Sequence, residues 1–251
     1  MKRIIFPLII VLLMTSACGN QKEQSTVMQT PDVMDQRMPG DSAYYGLACD
    51  GSTDSILIVM PLSGADPDTF DILNAFLNRR VFGRPKIGDQ MTVVRDTANP
   101  GMADMVVNLS QLKGEWCYQV MPQLRLRRIN DSLHLSTPPI PDSLLKRWMQ
   151  PREYGFEIRR ENAVRPIGIQ RNNASAQQSP VAYPAVKQYR EWNVFNGRLI
   201  FSESRRDTLG RRQVVSSDTA DIILLRRDSM RLRFNNSEQG YYRRKSNIVE
   251  R

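Results

Sequence analysis

Histidine and cysteine are scarce in this sequence, whose 251 residues include one histidine, His134, and three cysteines, Cys18, Cys49 and Cys117. A metal site of imidazole and thiolate ligands needs several of these residues at close spacing, and a nucleophilic triad needs an oriented base. His134 stands between two leucines in "SLHLSTPP", which favours a strand residue over a general base. Phosphate-binding glycine loops and dinucleotide fingerprints are also missing. The sequence therefore predicts a protein that is not an enzyme and that has no catalytic residues, metal or cofactor.

Long hydrophobic runs are missing as well. The longest, residues 4–14, has 11 residues, whereas a membrane-spanning helix needs about 20. It follows the charged start "MKR" and precedes Ser16, Ala17 and Cys18, which is the order of a bacterial export signal. The small residues before Cys18 resemble a lipobox, although Thr15 replaces the usual Leu or Val. This resemblance implies a signal peptide at 1–17 and acylation of Cys18; the alternative is ordinary cleavage after Ala17.

The predicted anchor sets the expected location and domain organisation. Gly19 follows the cysteine where retention in the inner membrane favours Asp, so family analogy implies a lipid-anchored protein of the cell envelope, at the outer membrane. Residues 18–42 are rich in Gln, Ser, Thr, Asp and Pro, which predicts a flexible tether. We expect a small β-rich domain with one helix at 43–111, or early strands that share the core of the next domain, followed by a β-barrel domain at 112–247.

The net charge of +9 leaves several acidic partners open. Basic proteins of the envelope attract anionic lipids, acidic glycans or nucleic acid. The arginines occur as pairs dispersed along the chain, and no aromatic-rich nucleic-acid motif accompanies them. We therefore expect no nucleic-acid partner and place most of these pairs on solvated strand edges and loops.

Short β-branched and apolar runs predict a mainly β protein. "SILIVMP" and "QMTVVRD" are bounded by Gly, Pro and Asp, as strands commonly are. In "EWNVFNGRLIF" the pair Asn196-Gly197 suits a two-residue hairpin turn, and in "IILLRRDSMRLRF" the alternation of Met230, Leu232 and Phe234 predicts one buried face.

One helix is predicted between Asp66 and Gly83. Asp66 suits an N-cap and Pro67 suits the first helical position. An apolar stripe then follows at helical spacing, formed by Phe70, Leu73, Phe76 and Leu77. A mainly β chain with one prominent helix is typical of a barrel or a sandwich.

The C-terminal half resembles a known fold family. "LKGEWCYQV" contains Gly114 and Trp116, similar to the Gly-x-Trp of the first lipocalin strand, and "GYYRRK" places Arg243 and Arg244 near the last strand. The hairpin order "YGFEIRRENAVRPIG", "YREWNVFNGRLIFS" and "DTADIILLRRDSMRLRF" resembles the lipocalin-like domain of Bacteroidetes lipoproteins. This resemblance implies an antiparallel barrel over 112–247, closed at one end by Trp116, with Arg243 or Arg244 packed across the ring.

The segment "GLACDGSTDSILIVMP" resembles the start of the NlpE envelope lipoproteins, which carry a Cys-x-x-Cys pair. Here the pair is Cys49 and Ser52, so the redox or metal chemistry of two thiols does not transfer. Cys49 and Cys117 are the thiols left after acylation, and an oxidising compartment favours their pairing. The frequent burial of free cysteine favours instead two separate buried thiols, which is the leading interpretation, and a metal or redox-active site is a third.

Two classes of function stay open. The first is a non-catalytic binding module, in which the barrel accepts a small apolar or amphipathic ligand. The second is a structural or stress-sensing envelope lipoprotein, which acts through protein or cell-wall contacts. A barrel interior filled by side chains favours the second class.

Overall fold

The computed structural model describes residues 37–124, 141–168, 181–208, 210–235 and 237–245. The predicted signal peptide with Cys18, most of the predicted tether and His134 lie outside these residues. The described residues belong to one compact unit, Pro31–Arg251. Their structure is mainly β, as predicted.

The first sheet has six strands. They are β1 Tyr44–Ala48, β2 Ile56–Pro61, β3 Asp68–Asp71, β4 Val81–Phe82, β5 Gln90–Arg95 and β6 Ala103–Asn108. Their order in the sheet is β3-β2-β1-β5-β6-β4, and only the short β4–β6 pair is parallel among them. The predicted strands "SILIVMP" and "QMTVVRD" are confirmed as β2 and β5.

The second sheet has eight strands. They are β7 Gly114–Val120, β9 Arg152–Ile158, β10 Val164–Ile167, β12 Glu191–Phe195, β13 Arg198–Arg206, β14 Arg212–Leu225, β15 Ser229–Phe234 and β16 Ser237–Arg243. Their order is β10-β9-β7-β16-β15-β14-β13-β12, and every pair is antiparallel. Strands β8 Gln123–Leu124 and β11 Val181–Ala182 form a separate short pair.

The two edges of the eight-stranded sheet meet. Ala163 forms a bridge with Glu191, the Val164 amide donates to the Arg190 carbonyl at 2.8 Å, and the Trp192 amide donates to the Asn162 carbonyl at 2.9 Å. The sheet is therefore a nearly closed antiparallel barrel, which confirms the predicted fold class.

The hairpins of the barrel follow the sequence pattern. Asn196 and Gly197 have φ of 46° and 78°, so both central turn positions are left-handed as predicted. Met230 and Leu232 on β15 are buried, and Phe234 is half-buried against the same core.

The helix predicted between Asp66 and Gly83 is wrong over its first half. Residues 68–71 form β3, which pairs with β2, and the buried Phe70 ring contacts Tyr44 of β1 at a centroid distance of 5.1 Å. Phe70 is the buried residue among exposed neighbours in β3, which is the alternation of a strand, and it also fits the helical spacing. Its position therefore does not distinguish a strand from a helix. The helix α1 spans only Leu73–Leu77, and its predicted apolar stripe at Leu73, Phe76 and Leu77 faces solvent.

The end of α1 also differs from the prediction. Arg79, with φ of 57°, takes the left-handed position at which a helix commonly ends. The Arg80 amide donates to the Ala75 carbonyl and the Arg79 amide donates to the Phe76 carbonyl, which closes the turn before Gly83 is reached. Two further helices, α2 Leu109–Leu112 and α3 Asp142–Trp148, are also short. None of the described helices combines the length and apolar character that crossing a bilayer requires.

One hydrophobic cluster contains side chains of both sheets. Tyr45, Phe82 and Val107 of the first sheet pack with the residues that fill the barrel, whereas a second cluster around Leu57 and Val93 lies within the first sheet. The predicted boundary between the domains at 43–111 and 112–247 concerns whether each part folds independently, and it stays a prediction.

Candidate functional site

Trp116 and Arg243 lie together inside the barrel. Trp116, on β7, is fully buried, and its indole N–H donates to the Leu112 carbonyl at 2.7 Å. Arg243 pairs with Trp116 across β16 and β7, and its guanidinium carbon lies 4.2 Å from the centre of the indole ring. This geometry is a cation–π contact between a buried indole ring and a half-buried guanidinium group.

Main-chain carbonyls hold the Arg243 guanidinium on the ring. It donates to the carbonyls of Arg227, Lys113 and Gln111 at 2.6, 2.7 and 2.6 Å. Burial lowers the pKa of Arg243, and the charge of Asp228 opposes this shift. Gly114 makes room for the arginine, because its φ is +131° and a side-chain carbon at this position would overlap Arg243 Nη1.

Arg244 lies on the outer face of the barrel, away from the Trp116 ring. It forms ion pairs with Glu115 at 3.8 Å and with Glu153 at 3.4 Å. Adjacent strand residues point to opposite faces, so only one residue of the arginine pair contacts Trp116. The structure therefore brings together Gly114, Trp116 and Arg243 and leaves Arg244 apart from them.

Cys117 and Cys49 are free thiols in the structure. Cys117 is fully buried on the outer face of β7, opposite to the direction of Trp116, and Cys49 is half-buried. Burial, with help from the charge of Glu153, raises the pKa of the Cys117 thiol to about 11. The structure therefore has no Cys49–Cys117 bond, and of the two separate thiols only Cys117 is fully buried.

The polar residues of the turn that contains Cys49 form hydrogen bonds within the turn. The Ser52 hydroxyl donates to the Cys49 carbonyl at 3.0 Å, and the Asp50 carboxylate accepts from the Gly51 amide at 2.9 Å. Within the described ranges no three His, Cys, Asp or Glu side chains gather closely enough to hold a metal ion.

Side chains fill the barrel around Trp116. Phe156 and Phe201 pack with their ring centroids 4.9 Å apart, and Trp192, Leu199 and Leu232 are buried beside them. Such an interior is a packed core.

A group of tyrosines lies one layer along the barrel from Trp116. We call it the tyrosine cluster, and it consists of Tyr118, Tyr154, Tyr183, Tyr189 and Tyr241. Tyr118 contacts the rings of Tyr241 and Tyr154 edge-on, at centroid distances of 5.4 and 6.4 Å. Tyr118, Tyr183 and Tyr189 are half-buried, so solvent reaches this end of the aromatic core.

A charged pair connects the tyrosine cluster to the surface. The Asp218 carboxylate accepts from the Tyr189 hydroxyl at 2.7 Å and from Lys187 Nζ at 2.6 Å. Burial acts to raise the pKa of Asp218, but the hydrogen bonds from Lys187 and Tyr189 outweigh it and hold the pKa below its usual value. Burial, followed by the contact with Asp218, raises the pKa of Tyr189. Burial also raises the pKa of Tyr241, and the neighbouring Tyr118 adds to the effect.

The tyrosine cluster was not predicted from the sequence. Its members are separated by up to 123 positions, from 118 to 241; strand pairing brings Tyr118, Tyr154 and Tyr241 together, and the segment before β12 adds Tyr183 and Tyr189. One local signal was present, because Tyr118 stands two residues after Trp116 and must share its face of β7.

Comparison with known proteins gives one structural similarity. No family model matches the sequence, and no curated protein matches it. Among solved structures the chain is similar to a lipocalin-like protein from Bacteroides thetaiotaomicron, with 15% sequence identity and a TM-score of 0.28. The similarity covers 53% of this chain and 95% of that chain.

Proposed function

We propose that this protein is a lipid-anchored binding module of the bacterial cell envelope that carries out no catalysis. In this proposal Cys18 holds the chain at the membrane, and the barrel binds a small amphipathic ligand at the tyrosine cluster. The observation that carries the proposal is the partial exposure of three tyrosine rings, Tyr118, Tyr183 and Tyr189, at one end of an otherwise packed barrel.

The composition of the cluster suits an amphipathic ligand. Tyrosine rings offer large apolar surfaces, and their hydroxyls form hydrogen bonds at the same place. The ring of Tyr183 also lies under the Arg152 guanidinium, at 4.0 Å from its centroid, which makes this end both aromatic and positively charged. The filled interior near Trp116 leaves no room for a ligand enclosed deep in the barrel, which taken alone favours the structural or stress-sensing class, so the proposed ligand lies against the half-buried tyrosines.

Native mass spectrometry of the protein expressed without residues 1–18 tests the proposal. After incubation with a lipid extract of bacterial envelopes, we expect a bound species that organic extraction removes. The Tyr118→Ser variant should lose this species, whereas Tyr242→Ser should keep it, because Tyr242 lies on the outer face and bonds Glu153. Failure of any envelope amphiphile to bind the unaltered protein would refute this function.

A second function is supported by the exposed apolar side chains of helix α1. Leu73, Phe76 and Leu77 of α1 expose 46%, 47% and 68% of their surface, and exposed apolar patches commonly mark protein contacts. With a packed barrel interior, this surface favours a structural or stress-sensing lipoprotein that binds an envelope protein or the cell wall. Chemical cross-linking in intact cells distinguishes the two, since the second function requires a cross-link that Leu73→Ser with Leu77→Ser removes.

A further inference from the structure

A polar groove opens beside the tyrosine cluster. It lies between residues 185–190 and residues 203–205 of β13, and its volume is about 450 Å³. This volume falls within the range of small-molecule sites, about 300–1,000 Å³.

The groove carries an excess of positive charge. Lys187, Arg190 and Arg205 line it, together with a single acidic residue, Glu203. Lys187 is neutralised by Asp218. Within the part of the chain that the structure describes, neither Arg190 nor Arg205 has an acidic partner.

The main chain around the groove is fixed. The Arg190 amide donates to the Ser202 carbonyl at 2.8 Å, and the Arg190 carbonyl accepts from the Val164 amide where the barrel edges meet. Arg205 is part of β13 and pairs in register with Gln213 of β14. Arg205 therefore lies on an ordered strand, and Arg190 directly precedes one with its amide and carbonyl both hydrogen-bonded, which reduces the main-chain entropy lost when a ligand binds them.

Hydrogen bonds to one carboxylate connect the groove to the tyrosine cluster. Lys187 lines the groove, and the carboxylate that it contacts also accepts from Tyr189 of the cluster. A ligand of modest length can therefore contact both places. Guanidinium groups recognise carboxylates and phosphates by paired hydrogen bonds.

We infer that the groove binds the oxyanion of the amphipathic ligand, a carboxylate or a phosphate, through Arg190 and Arg205. This inference rests on the proposed function, because the apolar part of the ligand lies on the tyrosine cluster. It specifies that the head group of the ligand is an anion, because a neutral amphiphile would leave both guanidinium groups without a partner.

Calorimetric titration with three ten-carbon probes, decanoate, decyl phosphate and decanol, tests the inference. The two anions are used below their micelle concentrations and decanol below its solubility limit. We expect at least one anionic probe to bind about tenfold or more tightly than decanol. The double variant Arg190→Gln with Arg205→Gln should remove that difference and leave decanol binding unchanged. The control Arg226→Gln with Arg231→Gln makes the same change in net charge on exposed arginines elsewhere and should keep the difference.

Each outcome of the titration leads to one conclusion about the site. A larger loss for decyl phosphate than for decanoate assigns the site to phosphates, and the reverse assigns it to carboxylates. Equal binding of decanol and both anions by the unaltered protein overturns the oxyanion site and leaves the proposed function standing. Loss of anion preference in the control variant also overturns the site, because it assigns the effect to net charge. Absence of binding by all three probes overturns both.

Discussion

Gly114 is the residue on which the contact between Trp116 and Arg243 most directly depends. The glycine lies at the start of β7, and its missing side chain leaves the space that the Arg243 guanidinium occupies. The arginine in turn satisfies carbonyls of the segment that leads into this strand. A change at Gly114 therefore disturbs the ring contact and two part-buried hydrogen bonds together.

We expect Gly114→Ala to reduce the free energy of unfolding by about 3 kcal/mol, because the new side chain overlaps Arg243 at a strained φ. Urea denaturation measures the effect. Gly240→Ala is the matched control, since no atom lies within 4 Å of its added carbon, and it should cost less than about 1 kcal/mol. Equal costs for the two variants would show that the space beside Arg243 is unimportant.

Cys117 predicts a loss of stability at alkaline pH. Its folded pKa of about 11 lies above the ordinary value of 9.0, so the unfolded chain releases this proton first as the pH rises. The contribution is complete below about pH 9 and falls between pH 9 and 11, by up to about 1.4 kcal/mol per pH unit.

The comparison of the unaltered protein with Cys117→Ala, by urea denaturation at pH 8 and pH 10.5, isolates this contribution from that of the tyrosines. We expect the stability lost between the two pH values to be about 2 kcal/mol smaller in the variant. Identical losses would mean that the Cys117 pKa does not differ between the folded and unfolded chains.

At the scale of elements, the β12–β13 hairpin contacts the first sheet. A side-chain carbon added at Gly197 would overlap Met105 Sδ and approach Val94, which lie on β6 and β5. The Asp41 carboxylate also accepts from the Asn196 amide and the Tyr45 hydroxyl, at 3.0 and 2.5 Å. The turn thus joins the barrel, the first sheet and the segment that precedes β1.

Gly197→Ala should reduce the free energy of unfolding by about 1–3 kcal/mol, through an unfavourable φ and the overlap with Met105. Gly210→Ala separates the two causes, because Gly210 has a similar φ of +76° and no atom within 4 Å. Thermal or urea unfolding should rank the Gly197 variant as the less stable one. The opposite ranking would contradict the packing of this hairpin on the first sheet.

The elements differ in how far the sequence predicts them. Alternating residues and the Asn196-Gly197 turn are local signals, so β2, β5 and the β12–β13 hairpin were predicted correctly. Residues around Phe70 satisfied both the strand and the helix periods, and only pairing with β2 decided between them. The tyrosine cluster depends on long-range pairing, which composition and periodicity do not reveal.

At the scale of the whole molecule, the account combines a barrel with a predicted lipid anchor. Replacement of Cys18 by Ala should abolish incorporation of a palmitate analogue and release the protein from membranes, because the acylated residue is lost. Fractionation and labelling of cells measure both effects. Equal labelling of the variant would contradict the anchor and with it the proposed location.

The central claim is that the tyrosine cluster is a binding surface. The most direct test is a dissociation constant measured by calorimetry for two tyrosine variants, with whichever of decanoate and decyl phosphate binds the unaltered protein more tightly. Tyr118→Ser removes a half-buried ring of the cluster, whereas Tyr242→Ser removes a ring from the outer face of the barrel. The account predicts that Tyr118→Ser weakens binding about tenfold, which is about 1.4 kcal/mol, and that Tyr242→Ser leaves it unchanged. The same dissociation constant for Tyr118→Ser and the unaltered protein, in folded samples, would contradict the claim.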